Sequence, residues 1–130
     1  MGMIGRVKRG DTASKAVYGY RLHYGDDGKR RMVVDEVTAA VVRQVIDRYL
    51  AGQGIYTVVR WLNDAGLPSY SGRPWTQRMG MNIIDHVWRY AGFAELNRRS
   101  KAGRPYVRAP GNWTPIISAE TAEHVENERR

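Results

Sequence analysis

The sequence predicts an α+β domain, three or four helices packed together with one or two antiparallel β-hairpins at their side. Three observations carry that prediction. The run Val17-Tyr18-Gly19-Tyr20-Arg21-Leu22-His23-Tyr24 alternates aromatic and polar residues with the two-residue period of a strand, then enters a glycine-bounded turn. Later stretches carry apolar residues at helical spacing between recognisable start and stop residues. The chain's 130 residues give room for one compact core, and 42% apolar against 26% charged residues is globular rather than disordered.

Each element has its own local cause. Gly25-Asp26-Asp27-Gly28 supplies the positive-φ positions of a hairpin loop, and Lys29 to Val34 returns as the partner of the first strand. Asp35 is a good N-cap, with Glu36 in the first turn complementing the helix dipole. Val37, Val41, Val45, Ile46, Tyr49 and Leu50 then recur at helical spacing until Gly52 stops the element. A second helix runs from about Ile55 to Ala65, burying Val58, Val59 and Leu62, with Gly66 just past its end. The turn-rich loop Leu67 to Trp75 leads to Thr76, which caps a third helix carrying Met79, Ile83, Ile84 and Val87 on one face. That helix ends at Tyr90-Ala91-Gly92. Phe93 to Arg98 and Pro105 to Ala109 form a second hairpin around Ser100-Lys101-Ala102-Gly103, and Ser118 caps a last helix that reaches Arg129-Arg130.

Composition narrows the function. Without cysteine, disulfides, thiolate nucleophiles and cysteine-ligated zinc are excluded. No apolar run approaches the roughly 18 residues of a membrane span, and the start Met1-Gly2-Met3-Ile4-Gly5-Arg6 has no signal-peptide apolar core, so a cytoplasmic location is expected. The net charge of +8 is concentrated in two windows. Residues 1–31 hold eight Lys or Arg against three acids and residues 71–110 eight against two, while the rest of the chain is balanced or acidic. Cations gathered this way suit a polyanion, because each neutralised phosphate releases a counterion. The competing explanation is a solvated basic surface that keeps the protein soluble.

Catalytic constellations are missing. Ser14, Ser69, Ser71, Ser100 and Ser118 sit at caps or loops, where serine is expected for backbone hydrogen bonding. His23, His86 and His124 have no Glu or His at ligand spacing. Asp26 and Asp27 belong to a turn, Asp35 and Glu36 to a helix cap, which accounts for them better than a nuclease-type Mg²⁺ site. No cofactor and no metal is expected, and no catalysis by this chain alone.

Nucleic-acid contacts are better supported. In Arg73-Pro74-Trp75-Thr76-Gln77-Arg78 a basic loop enters a helix N-terminus, where free N–H groups and the dipole favour phosphate. On that helix Gln77, Arg78, Met81, Asn82, Asp85 and His86 are expected to point away from the apolar stripe. Gln and Asn can pair with adenine and Arg with guanine. Arg98, Arg99, Lys101 and Arg104 flank the tip of the second hairpin and suit phosphate or minor-groove contact. Arg6, Lys8, Arg9 and Lys15 lie on a basic entry segment, residues 1–16, that can follow a minor groove. Trp61, Trp75 and Trp113 sit in or beside helix starts and are expected to be core anchors.

Seven pieces in fixed order carry a resemblance. They are Val17-Tyr18-Gly19-Tyr20, Val34-Asp35-Glu36 through Ala39-Ala40-Val41-Val42, Tyr49-Leu50-Ala51-Gly52, Trp61-Leu62-Asn63-Asp64-Ala65-Gly66, Gly72-Arg73-Pro74-Trp75-Thr76, Tyr90-Ala91-Gly92 and Trp113-Thr114-Pro115-Ile116-Ile117-Ser118. Together they resemble the recombinase domain of large serine recombinases, the phage integrases and transposon resolvases. The chain departs from the usual pattern in having Val87-Trp88 where the family commonly has Asn-Pro, and in a short segment between Gly10 and Tyr18. The resemblance implies that residues 17–130 are a DNA-binding domain and residues 1–16 the end of an upstream linker helix. It implies binding to an attachment or resolution site in duplex DNA during site-specific DNA recombination or integration. It also implies an upstream serine catalytic domain and a downstream zinc-ribbon domain in a longer parent protein, bacterial or phage-encoded. Two other readings remain open, a free-standing transcriptional regulator or architectural DNA binder, and an RNA-binding module.

Overall fold

The structure, a computed structural model, describes residues 16–96 and 102–129. Among these residues it is an α+β domain of five helices and two separate two-stranded antiparallel sheets. Strand β1 (Tyr20–Tyr24) pairs with β2 (Arg30–Val34) in the register Tyr20 to Val34 and Tyr24 to Arg30. The strand begins three residues later than its alternation predicts. The Val17 carbonyl accepts from the Tyr20 amide at 3.0 Å, closing a turn in which Gly19 takes φ 103°. A Cβ at Gly19 would lie 3.0 Å from Ile116 Cδ1 and 3.1 Å from Val42 Cγ2, so both the dihedral and the packing call for glycine.

Helix α1 (Glu36–Leu50) starts where expected. The Asp35 carboxylate accepts from the amides of Val37 at 3.2 Å and Thr38 at 3.4 Å. Its buried stripe is Ala39, Val41, Val42, Val45 and Ile46. Val37, predicted to belong to that stripe, lies just outside its edge and is 68% exposed. Helix α2 (Ile55–Asp64) buries Val58, Val59 and Leu62 as predicted.

The third predicted helix is two. Helix α3 (Gln77–Asp85) stops at His86, whose backbone leaves helical geometry at φ −103°, ψ 21°, and α4 (Val87–Tyr90) follows directly. Val87, Trp88 and Tyr90 are all buried beside Ile83 and Ile84. Strands β3 (Phe93–Leu96) and β4 (Val107–Pro110) form the second hairpin. Helix α5 (Ala119–Glu128) is capped by Ser118, whose Oγ accepts from the Thr121 amide at 3.1 Å.

The core joins these pieces through aromatic rings with satisfied polar ends. Tyr20 stacks on Tyr90 at 6.2 Å and donates to the Thr114 carbonyl at 2.6 Å. Trp113 donates to the Arg89 carbonyl at 2.8 Å and Trp75 to the Leu67 carbonyl at 3.0 Å. Trp75 and Trp113 are therefore core anchors. Trp61 is half-buried, with the Arg48 guanidinium 3.6 Å above its ring. No helix among the described residues is long and apolar enough to cross a membrane.

Candidate nucleic-acid interface

The loop before α3 is held from three sides. Asn63, at the end of α2, donates from Nδ2 to the Trp75 carbonyl at 3.0 Å, and its Oδ1 accepts from the Trp75 amide at 2.7 Å. Trp75 itself is buried, with Tyr18 edge-on against it at 5.2 Å. The Tyr18 hydroxyl donates to the Pro68 carbonyl, and burial, with the Asp35 carboxylate adding to it, pushes that phenol up to about 12. Tyr18 thus stays a neutral donor across the neutral range. Ser69 Oγ closes the loop by donating to the Arg73 carbonyl at 2.5 Å.

Helix α3 starts from this anchored loop. Thr76 Oγ1 accepts from the Met79 amide at 3.2 Å, so its hydroxyl is occupied as the N-cap. Gly80 presses against α2. A Cβ there would meet Val59 Cγ2 at 2.8 Å and Ile55 Cδ1 at 3.1 Å. With Gly80, Ile83 and Ile84 turned inward, Gln77, Arg78 and Asn82 stand exposed, beside exposed Arg73 and Thr76. Among the described residues neither Arg73 nor Arg78 enters an ion pair, leaving both guanidinium forks available.

Two expectations for this face need correction. Asp85, predicted to face outward, is only 6% exposed and pairs with Arg129, the residue after α5, at 2.8 Å. Met81 and His86 are half-buried, and the His86 ring nitrogen Nδ1 lies 2.5 Å from the Asn82 carbonyl. The outward face is accordingly confined to the first turns of α3. Beside it runs a groove of about 370 Å³ whose walls include Tyr18, Tyr70, Met79, Asn82 and His86.

The other predicted contacts are distributed differently. Arg104 is exposed ahead of β4. Arg6, Lys8, Arg9, Lys15, Arg98, Arg99 and Lys101 lie outside the described residues. The turn carboxylate Asp27 is held below the usual carboxylate range, first by the Lys29 amide that it accepts from at 3.0 Å, then by Arg31. This is turn chemistry rather than a metal site, and no cluster of three or more metal-ligating side chains occurs among the described residues. Sequence reasoning missed Trp88, which is 9% exposed, donates to Glu126 Oε2 at 3.0 Å and carries Arg108 at 3.6 Å over its ring. It also missed the Asn63 clamp. Asn63 falls within the Trp61-Leu62-Asn63-Asp64-Ala65-Gly66 piece of the resemblance, although its partner lies twelve residues away.

Comparisons with known proteins follow this geometry. The Recombinase family model matches residues 36–130. A crystal structure of an LSR–DNA complex is similar with a TM-score of 0.71 and 21% identity, over 95% of this chain and 35% of that one. A structure from work on the sequence requirements of the Listeria innocua prophage attP site has a TM-score of 0.73 and 22% identity, over 95% of this chain and 47% of that one. The chain thus spans less than half the length of either. No curated protein matches the sequence.

Proposed function

Because the chain belongs to the Recombinase family, we propose that it is the DNA-binding module of a large serine recombinase, gripping part of an attachment or resolution site in duplex DNA. A catalytic serine domain elsewhere in the parent protein would then act on strands that this module has placed. The observation that carries the reading is the start of α3. There Gln77, Arg78 and Asn82 are exposed on a helix whose backbone is fixed by Asn63, Trp75 and Gly80, with Arg73 beside its free N–H groups.

The chemistry suits a major groove. Arg73 and the first-turn amides bind phosphate, which sets the register of the protein without reading sequence. Arg78 can fork onto guanine O6 and N7, and Gln77 and Asn82 can pair with adenine N6 and N7. Thr76 contributes by orienting that first turn. Arg6, Lys8, Arg9, Lys15, Arg98, Arg99, Lys101 and Arg104 extend the phosphate contacts along the duplex. An RNA module would need several sheet aromatics free to stack on unpaired bases, whereas Tyr20 is buried, Tyr18 is packed on Trp75, and of these three tyrosines Tyr24 alone is exposed.

Binding measured by fluorescence anisotropy across a salt series tests this. With about five phosphates neutralised, log K against log[salt] should fall with a slope of roughly −4 to −5 on duplex DNA. A slope near zero, or a preference for single-stranded RNA, contradicts the proposal.

A further inference from the structure

We propose that the groove beside α3 is a thymine-methyl subsite, in which Tyr70 packs on the C5-methyl group of a thymine in or beside the base pair that Asn82 reads. This rests on the reading above and adds to it a specificity-determining residue outside the helix, one that recognises DNA by apolar contact rather than by charge.

The groove has an apolar floor and an exposed mouth. Trp75, Ile83 and Tyr90 are buried, Val17, Tyr18 and Met79 are half-buried, and all six line it. At its mouth stand the two exposed lining residues, Tyr70 and Asn82. No lysine, arginine or carboxylate lines the groove, so nothing in it favours a phosphate. Tyr70 is 66% exposed, and neither its hydroxyl nor the Asn82 carboxamide forms a hydrogen bond among the described residues. The ring is carried on a fixed turn. Gly72, at φ 77°, donates from its amide to the Ser69 carbonyl at 3.3 Å, and the Ser69–Arg73 and Tyr18–Pro68 bonds hold either side. An aromatic ring presented to water from a pinned turn still has most of its apolar area to bury.

Asn82 ties the groove to the proposed base-reading face. It follows Arg78 by four residues, one turn on along the same edge of α3, and it also lines the groove. One side chain therefore belongs to both surfaces. In a major groove an A·T pair presents hydrogen-bonding atoms and one apolar projection, the thymine C5-methyl. Asn82 suits adenine, whose partner is thymine, so the pair it selects brings a methyl group with it. An uncharged mouth with an apolar floor suits that group and no other that a duplex displays there. The volume of about 370 Å³ admits the methyl together with the pyrimidine edge that carries it. Tyr70 then covers the methyl from the loop while Asn82 pairs from the helix.

The test takes a duplex selected by the wild type from a randomised library and replaces its thymines singly with deoxyuridine, which removes only the methyl. At one thymine, in or beside the base pair whose discrimination Asn82→Ala flattens, the replacement should weaken wild-type binding about four-fold, the worth of one buried methyl group. Tyr70→Ala should weaken the thymine duplex by a similar factor and be indifferent to the replacement. Tyr70→Phe should keep the wild-type preference, because the ring and not the hydroxyl makes the contact. Both variants should melt within a few degrees of wild type, since Tyr70 is exposed. If no replacement weakens the wild type while it still prefers the selected duplex to a random one, the methyl subsite is wrong and the function of α3 stands. If Tyr70→Ala and Tyr70→Phe weaken selected and random duplexes alike, the hydroxyl holds the DNA backbone and the proposal is also overturned. It is overturned too if Tyr70→Ala melts far below wild type without DNA, which would show the groove covered by the chain itself or by a second copy. A wild type that does not distinguish selected from random duplex overturns both readings.

Discussion

Asn63 spends both ends of its carboxamide on the backbone of Trp75, and these two bonds set where the chain enters α3. Replacing it with alanine leaves the Trp75 amide and carbonyl short of partners in a partly buried place. Asn63→Ala should therefore destabilise the domain by about 1–3 kcal/mol in urea denaturation. Because the loop also carries Arg73, the surviving folded protein should discriminate between selected and random duplex less well than wild type. Unchanged stability would mean that the clamp is incidental. At this scale the sequence was informative about types more than about partners. Serine, threonine and aspartate at caps were legible, because Ser118, Thr76 and Asp35 act on amides two or three residues away. The Asn63 clamp, the Trp88–Glu126 bond and the Asp85–Arg129 pair span 12, 38 and 44 residues respectively, and no local pattern announces such distances.

Helix α3 owes its position to a residue with no side chain. Gly80 lets α3 lie against α2 so closely that a methyl group would fall 2.8 Å from Val59 Cγ2. Alanine is favoured over glycine in a helix interior by about 1 kcal/mol, yet Val59 is β-branched and stiff in α2, so the neighbour cannot swing aside. The overpacking cost of about 1–3 kcal/mol outweighs the propensity gain. Gly80→Ala should lower the melting temperature by several degrees, and an unchanged or raised value would show that α2 and α3 separate freely. The elements themselves were largely legible from period and caps. Two boundaries were not. The β1 alternation extended back through Val17-Tyr18-Gly19, where a tight turn and the crowding around Gly19 override it. The helix after Thr76 broke at His86, whose backbone leaves helical geometry although the apolar spacing through Ile83, Ile84, Val87 and Tyr90 continues without interruption.

Over the whole molecule, the described cations of the two basic windows include Arg21, Arg30 and Arg31 on the β1–β2 ribbon and Arg73 and Arg78 at the start of α3 and in its preceding loop. The acids of the C-terminal segment do other work, with Glu126 taking up Trp88. The exposed face at the start of α3 was legible in outline from Gln77, Arg78 and Asn82. Its true extent was not, because only the packed fold shows Asp85 buried and paired with Arg129.

If the exposed start of α3 reads bases, equilibrium binding of Arg78→Ala and Asn82→Ala to selected and random duplexes will show it. Each variant should lose about 1–3 kcal/mol on the selected duplex and little on the random one, with discrimination flattened at one or two base pairs. Both side chains are exposed, so melting temperatures should stay within a few degrees of wild type. Equal losses on both duplexes, or none on either, would contradict the claim that this helix carries the specificity.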